Sequence, residues 1–239
     1  MKISGDVAPG FESVKTLYEH NMQTLAEQNT QLCVFVGDQC VVDLWGSAVD
    51  DPEFSADSLI NVFSSGKSLE AITMAMLVDR GLLSYDAKIS DYWPEFCGGT
   101  GCETTIADLM RHEAGLAAFD TTLEPSSLHP EALLRNAVGE VIERQTQAFR
   151  AGAEQQREYH AVTRGWIANE VFRRVEPAGR TMGQFLREEL SEPLGADVFI
   201  GLSDDELPRL APVAPLGFGF QFRQSLKPKR FGRSMELNL

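Results

Sequence analysis

Ser64 and Lys67 lie in the stretch NVFSSGKSLEAI, Asn61 to Ile72, where a short polar segment with a glycine gives way to an apolar run. Serine is a weak nucleophile until a neighbour takes its proton. Three positions apart on a helix, the two side chains share one face. At a helix start the serine oxygen lies near unsatisfied backbone N–H groups, which together with the helix dipole favour an oxyanion. A lysine packed in that positive, part-buried place has its pKa lowered and can act as a base. The pair then reads as an acyl-transfer site. The structural alternative is a capping serine and a lysine that snorkels to solvent. Capping leaves unexplained a cation near the positive end of the dipole.

A second candidate is EYHAVTRGWIANEV, Glu158 to Val171, where Tyr159 and His160 stand just before a helix carrying Trp166. The two could supply another proton-transfer group; the alternative is a packed aromatic and a surface histidine. The four cysteines, Cys33, Cys40, Cys97 and Cys102, are too few for a disulfide scaffold. Cys97 and Cys102 flank a glycine cluster, but no histidine or second close cysteine pair completes a zinc set. The expectation is free thiols in a reducing compartment, with no metal and no cofactor.

Composition narrows the partners. The 239 residues carry a formal net charge of −14 and 43% apolar residues. That is a globular composition, and its acidity argues against nucleic acid and against an anionic membrane surface. The first residues lack the apolar core of a secretory signal, and no stretch has the length of a membrane span. A soluble cytoplasmic protein acting on a small molecule is expected.

These side chains need elements to hold them. Residues 11–28 have helical apolar spacing, through Phe11, Val14, Leu17, Tyr18, Met22 and Leu25. Two β-rich runs, Leu32–Val36 and Cys40–Trp45, flank Gly37-Asp38-Gln39 as a hairpin. Leu69–Leu83 is apolar on nearly every face, with Glu70, Asp79 and Arg80 as exceptions, so a core helix is expected there. Further helices are expected from Thr104 or Thr105 to Gly115, over 130–148 from Pro130, over 162–176 and over 181–190. From Pro212 the chain turns rich in Pro, Gly, Phe and basic residues, with Arg223, Lys227, Lys229, Arg230 and Arg233. No helix or strand period shows there, and a loosely ordered tail is expected. Two strands alone do not make a stable sheet.

The pieces together resemble the serine β-lactamase-related superfamily, in its class C, esterase and penicillin-binding-protein-like branch. FSSGKS resembles the F-S-x-T-K nucleophile segment, LLSYDAKISDYWPEF the stretch after it, and TTIADLMRHEAGL the T-I-x-x-L-L-x-H-x-x-G-L signature. YHAVTRGWIANEVFRRV resembles the second catalytic element in its esterase-like tyrosine-histidine form, and LSEPLGADVFIGLSDDE also fits. The likeness runs over roughly residues 12–210.

The resemblance implies an α+β, β-lactamase/transpeptidase-like fold, mostly helical with an incomplete antiparallel sheet. The expected domain is 1–211, followed by a basic tail over 212–239. It implies that Ser64 is the acylated nucleophile, Lys67 the base that activates it, and Tyr159 the relay of the proton to the leaving group. The Ser64 N–H would form half of an oxyanion hole, and His112 would belong to a structural signature. Gly66 replaces the usual threonine. The family's third motif, a Lys/His-Thr/Ser-Gly triplet on an edge strand, has no counterpart after Tyr159. Loss of one oxyanion donor costs on the order of 10²–10³ in rate. Two functions are therefore weighed: a serine hydrolase of esters, amides or lactams, tilted towards esters, and a shortened member that binds without turnover. Self-association through an exposed sheet edge is a further expectation.

Overall fold

The computed structural model describes residues 1–99, 103–149 and 156–226. Cys102 and the basic residues Lys227 to Arg233 lie outside the described residues. The chain forms two compact units, one made of Met1–Asn61 with Ser203–Leu239, the other of Val62–Leu202.

The first unit holds an antiparallel sheet of three strands, β1 (Lys2–Val7), β2 (Asn29–Val36) and β3 (Gln39–Ser47), in the order β1-β3-β2. The β2–β3 hairpin is the one the sequence announces, turning at Gly37 with positive φ. The third strand corrects the two-strand expectation, and the edges among the described residues are β1 and β2. β1 escapes a reading by period because KISGDV puts Gly5 and three polar residues among few β-formers. The glycine is required: it adopts φ 100°, and a Cβ there would collide with the Asp43 carbonyl of the neighbouring strand. Helix α1 (Glu12–Thr24) lays Tyr18 and Met22 on the sheet, where they pack with Val41, Val42 and Leu44. Cys33 and Cys40, on facing strands, are free thiols with their sulfurs 3.8 Å apart.

The second unit is helical, and its described residues contain no strand. Helix α2 (Lys67–Asp79) is followed by α3 (Ile89–Tyr92), α4 (Ile106–Met110), α5 (Pro130–Leu134), α6 (Ala137–Glu143), α7 (Thr163–Val175), α8 (Met182–Leu186) and α9 (Glu192–Leu194). α7 is the hub: Ile167, Ala168, Val171 and Phe172 are fully buried against Met74, Leu77, Trp93, Leu109, Ile142 and Phe185. Thr105 caps α4 in a box with Asp108, each side chain bonding the other's backbone N–H.

Four expectations shift. α2 buries one face, through Thr73, Met74 and Leu77, while Ile72 is 45% exposed, because α7 and α8 pack on a single side of it. The helix expected over 130–148 is two helices, broken at Asn136 with φ 70°. The one expected over 181–190 passes from α8 into a π-helical turn, Arg187–Ser191. In the region expected to lack periodic structure, Phe218–Ser225 forms a short helix, α10, whose Phe218 and Phe222 rings stack one turn apart. The flanking glycines hid it.

Gly5→Ala should unpair β1 from β3 at a cost of about 2–4 kcal/mol, from left-handed strain plus the clash. Hydrogen exchange should then quicken at Ser4 to Asp6 and at Leu44, and stay slow in α7. Unchanged protection in β1 would contradict the close approach.

Candidate active site

Ser64 sits in a 3-10 turn, Phe63–Gly66, that runs into α2 without a break, so Lys67 opens the helix one turn later. Phe63, just before it, has φ 46°, a strained value for a bulky residue. Such strain persists where surrounding structure fixes it, and it often marks a functional turn.

Tyr159 comes to the serine from a segment 95 residues away, its hydroxyl donating to Ser64 Oγ at 2.7 Å. The Lys67 ammonium donates to the Ala161 carbonyl at 2.6 Å and stands 5.3 Å from the centre of the Tyr159 ring. The structure thus brings all three expected residues to one place. It makes Tyr159, rather than Lys67, the hydrogen-bonded partner shown for the serine oxygen. The Tyr159 phenol is held below the usual tyrosine range, first by the hydrogen bond with Ser64, then by the charge and hydrogen bond of Lys67 and the charge of Arg164. Each of these favours phenolate, the Ser64 hydroxyl donating to the phenol oxygen once Tyr159 has lost its proton.

The segment that carries Tyr159 is held on both sides by one residue. Glu158 N–H donates to the His112 carbonyl at 3.1 Å, and His160 N–H donates to His112 Nδ1 at 3.0 Å. His112 itself has φ 67°. Its ring lies 4.8 Å from that of Tyr159. His112 also has its Nε2 3.4 Å from Arg164 Nη1. Burial, then the charges of Arg164, His160 and Lys67, pushes its pKa down to about 4.

His160 does not meet the expectation of a second proton-transfer group or of a surface histidine. It is fully buried, its Nε2 accepts from Leu116 N–H at 3.0 Å, and Nδ1–H donates to the Glu158 carbonyl at 2.6 Å. Burial lowers its pKa, keeping it neutral. Thr163 Oγ1 completes the staple by donating to the Leu116 carbonyl at 2.6 Å.

Arg164 is a residue that sequence reasoning missed. Its guanidinium donates through Nε and Nη2 to Glu70 Oε2, at 3.1 and 2.9 Å, and through Nη2 to the Lys67 carbonyl at 3.1 Å. It clamps the start of α7 to the first turns of α2, next to the turn that carries Ser64. The signal was present: a charge among the apolar faces of α2, and an arginine at the positive end of α7, each poorly placed alone.

Among the described residues no cluster of three or more His, Cys, Asp or Glu could hold a metal ion. No helix there is long and apolar enough to cross a membrane.

The Beta-lactamase family model matches residues 14–219. The esterase/beta-lactamase LipL of Mycobacterium tuberculosis (strain ATCC 25618 / H37Rv) is 36% identical over 169 residues, covering 70% of this chain and 37% of its own. A penicillin-binding protein homolog from Caulobacter crescentus superimposes with a TM-score of 0.76 at 33% identity, covering 90% of this chain and 57% of that one. A family VIII carboxylesterase gives 0.77 at 32%, covering 90% and 58%. A class C beta lactamase at 17% identity and a TM-score of 0.59 shares the fold. The chain thus spans well under two thirds of the length of these relatives, and its fold is that of the β-lactamase/transpeptidase type.

The His112 grip has a pH signature. Folded His112 takes its proton near pH 4, whereas an unfolded histidine takes it near 6.5. Between those values the unfolded chain binds more protons, so stability falls as pH falls from about 6.5 to 4. His112→Asn, which can keep an acceptor for His160 N–H, should flatten that slope in urea unfolding curves. An equal slope in the variant would place the titration elsewhere.

Proposed function

The chain belongs to the beta-lactamase family, and we propose that it is a serine hydrolase that cleaves carboxylic esters through an acyl-serine intermediate at Ser64. The observation that carries the reading is the 2.7 Å hydrogen bond between Tyr159 and Ser64, with Lys67 one turn away. Phenolate at Tyr159 takes the Ser64 proton as Oγ attacks the ester carbonyl. Tyr159 then returns that proton to the leaving alkoxide, and the alcohol departs. A water adds to the acyl-serine, its proton passes to Tyr159 and back to Ser64 Oγ, and the carboxylic acid leaves.

Lys67, fixed on the Ala161 carbonyl, supplies the positive charge that keeps phenolate accessible. This modifies the roles the resemblance implied: Tyr159 is the immediate base and Lys67 acts through it. The backbone N–H of Ser64 is the first oxyanion donor. The relatives named as esterase/beta-lactamase and as carboxylesterase favour esters over lactams. The second reading is a member that acylates or binds without turnover.

A fluorophosphonate should leave one adduct by intact mass on the full chain and none on Ser64→Ala. Tyr159→Phe should slow labelling by roughly 10²–10⁴, the worth of a positioned base. p-Nitrophenyl esters should turn over repeatedly. A single burst equal to the enzyme concentration would select the second reading, and an adduct surviving Ser64→Ala would refute both.

A further inference from the structure

The β2–β3 hairpin carries two thiols that the chemistry at Ser64 does not use. Val34 pairs with Val42, but Phe35 pairs with Cys40, so Val41 is an extra residue in β3 and forms a bulge. The bulge is how Val41 and Val42, adjacent in sequence, are both buried. Cys40 lies opposite Phe35, and Cys33 stands two positions before Phe35 on the same strand. Cys33 and Cys40 are therefore diagonal neighbours on one face of the sheet. That face is the outer one, where Phe35 is 61% exposed and both cysteines are exposed.

On a flat ladder diagonal neighbours stand about 7–8 Å apart. A bulge strengthens the local twist, and here the two sulfurs are in contact at 3.8 Å. A bond of about 2.05 Å requires them to close by about 1.8 Å. The hydrogen bonds give the pair an order of reaction. Cys40 Sγ–H donates to the Val42 carbonyl at 3.4 Å, which leaves its sulfur to accept from Cys33 Sγ–H. When Cys40 loses its proton, Cys33 still donates to the thiolate and stabilises it. Cys33 itself is held above the usual thiol range, first by desolvation, then by the bond to Cys40 and the charge of Asp43. Cys40 is thus the first nucleophile and Cys33 the thiol that follows.

We propose that Cys33 and Cys40 are a site of reversible disulfide formation by exchange with a small-molecule disulfide. The Cys40 thiolate attacks one sulfur of the reagent, the reagent's S–S bond breaks, and one thiolate leaves. Cys33 gives up its proton and attacks the Cys40 sulfur of the mixed disulfide, and a second thiolate leaves. The two cysteines lose two electrons and two protons, and the reagent gains them to become two thiols. The new bond closes a ring of eight residues, Cys33 to Cys40, and ties the edge strand β2 to β3 at the point where the bulge interrupts their ladder. Nothing in this chemistry rests on the reading of Ser64.

The full-length protein, equilibrated in oxygen-free buffer with reduced and oxidised glutathione at about 1 mM each, tests it. After an acid quench, free thiols are alkylated and the chain is cut before aspartate. Cuts before Asp38 and Asp43 free the Cys40 fragment from that of Cys33, so the two stay together only if bridged. More than half of the chains should carry the Cys33–Cys40 bridge, at least tenfold above glutathione adducts at either cysteine, and excess reduced glutathione should reverse it. In Cys33→Ser the glutathione adduct should accumulate on Cys40, and should form at least tenfold faster than the adduct on Cys33 in Cys40→Ser. Glutathione adducts or cross-linked dimers in place of the bridge, or a bridge that forms only in denaturant, would overturn the site. Equal rates in the two variants would overturn the order of attack.

Discussion

The geometry around Ser64 depends on the grip of His112 on the chain either side of Tyr159. One carbonyl and one ring nitrogen of a single residue receive the N–H groups of Glu158 and His160, 3.1 and 3.0 Å away. A tyrosine that is 53% exposed would otherwise be free to swing. Here its backbone is fixed at both flanks, so its hydroxyl has a defined place over Ser64. The arrangement works only while His112 is neutral, since protonation would turn Nδ1 from acceptor to donor against the His160 N–H. Burial and the nearby cations Arg164 and Lys67 secure that state. The same cations favour phenolate on Tyr159, so one electrostatic environment serves both the positioning residue and the reacting one.

The second constraint is the Glu70–Arg164 pair, which fixes the helix that follows Ser64 against the helix that follows Tyr159. Arg164 is 6% exposed and makes charge-assisted bonds to a carboxylate and bonds to the Lys67 carbonyl. Breaking one partner of such a pair leaves a buried charge, which is far costlier than the pair is stabilising. The clamp is therefore better understood as registration of α2 against α7 than as a source of stability.

Sequence alone could pair Ser64 with Lys67 because their relation is local: a spacing of three positions at a helix start is one the chain itself displays. Tyr159 was legible through resemblance, since nothing local says that it meets a serine 95 residues earlier. The roles of His112 and His160 were less legible for the same reason: their bonds join segments 48 and 44 residues apart. β1 was hidden because the glycine it needs to approach Asp43 is the residue that weakens a strand pattern. The split at Asn136 and the single buried face of α2 are tertiary outcomes, set by which neighbours α7 and α8 leave in place.

The central claim is that Tyr159 is the base of Ser64, made acidic by that serine and by Lys67. With ¹³C at Cζ of tyrosine, and Tyr159→Phe to assign the signal, its ionisation can be followed by NMR. Tyr159 should titrate below the ordinary tyrosine value of about 10, and its pKa should rise in both Ser64→Ala and Lys67→Met, because each loses a group that favours phenolate. A Tyr159 that titrates at the ordinary value or above, and that ignores both substitutions, would contradict the account.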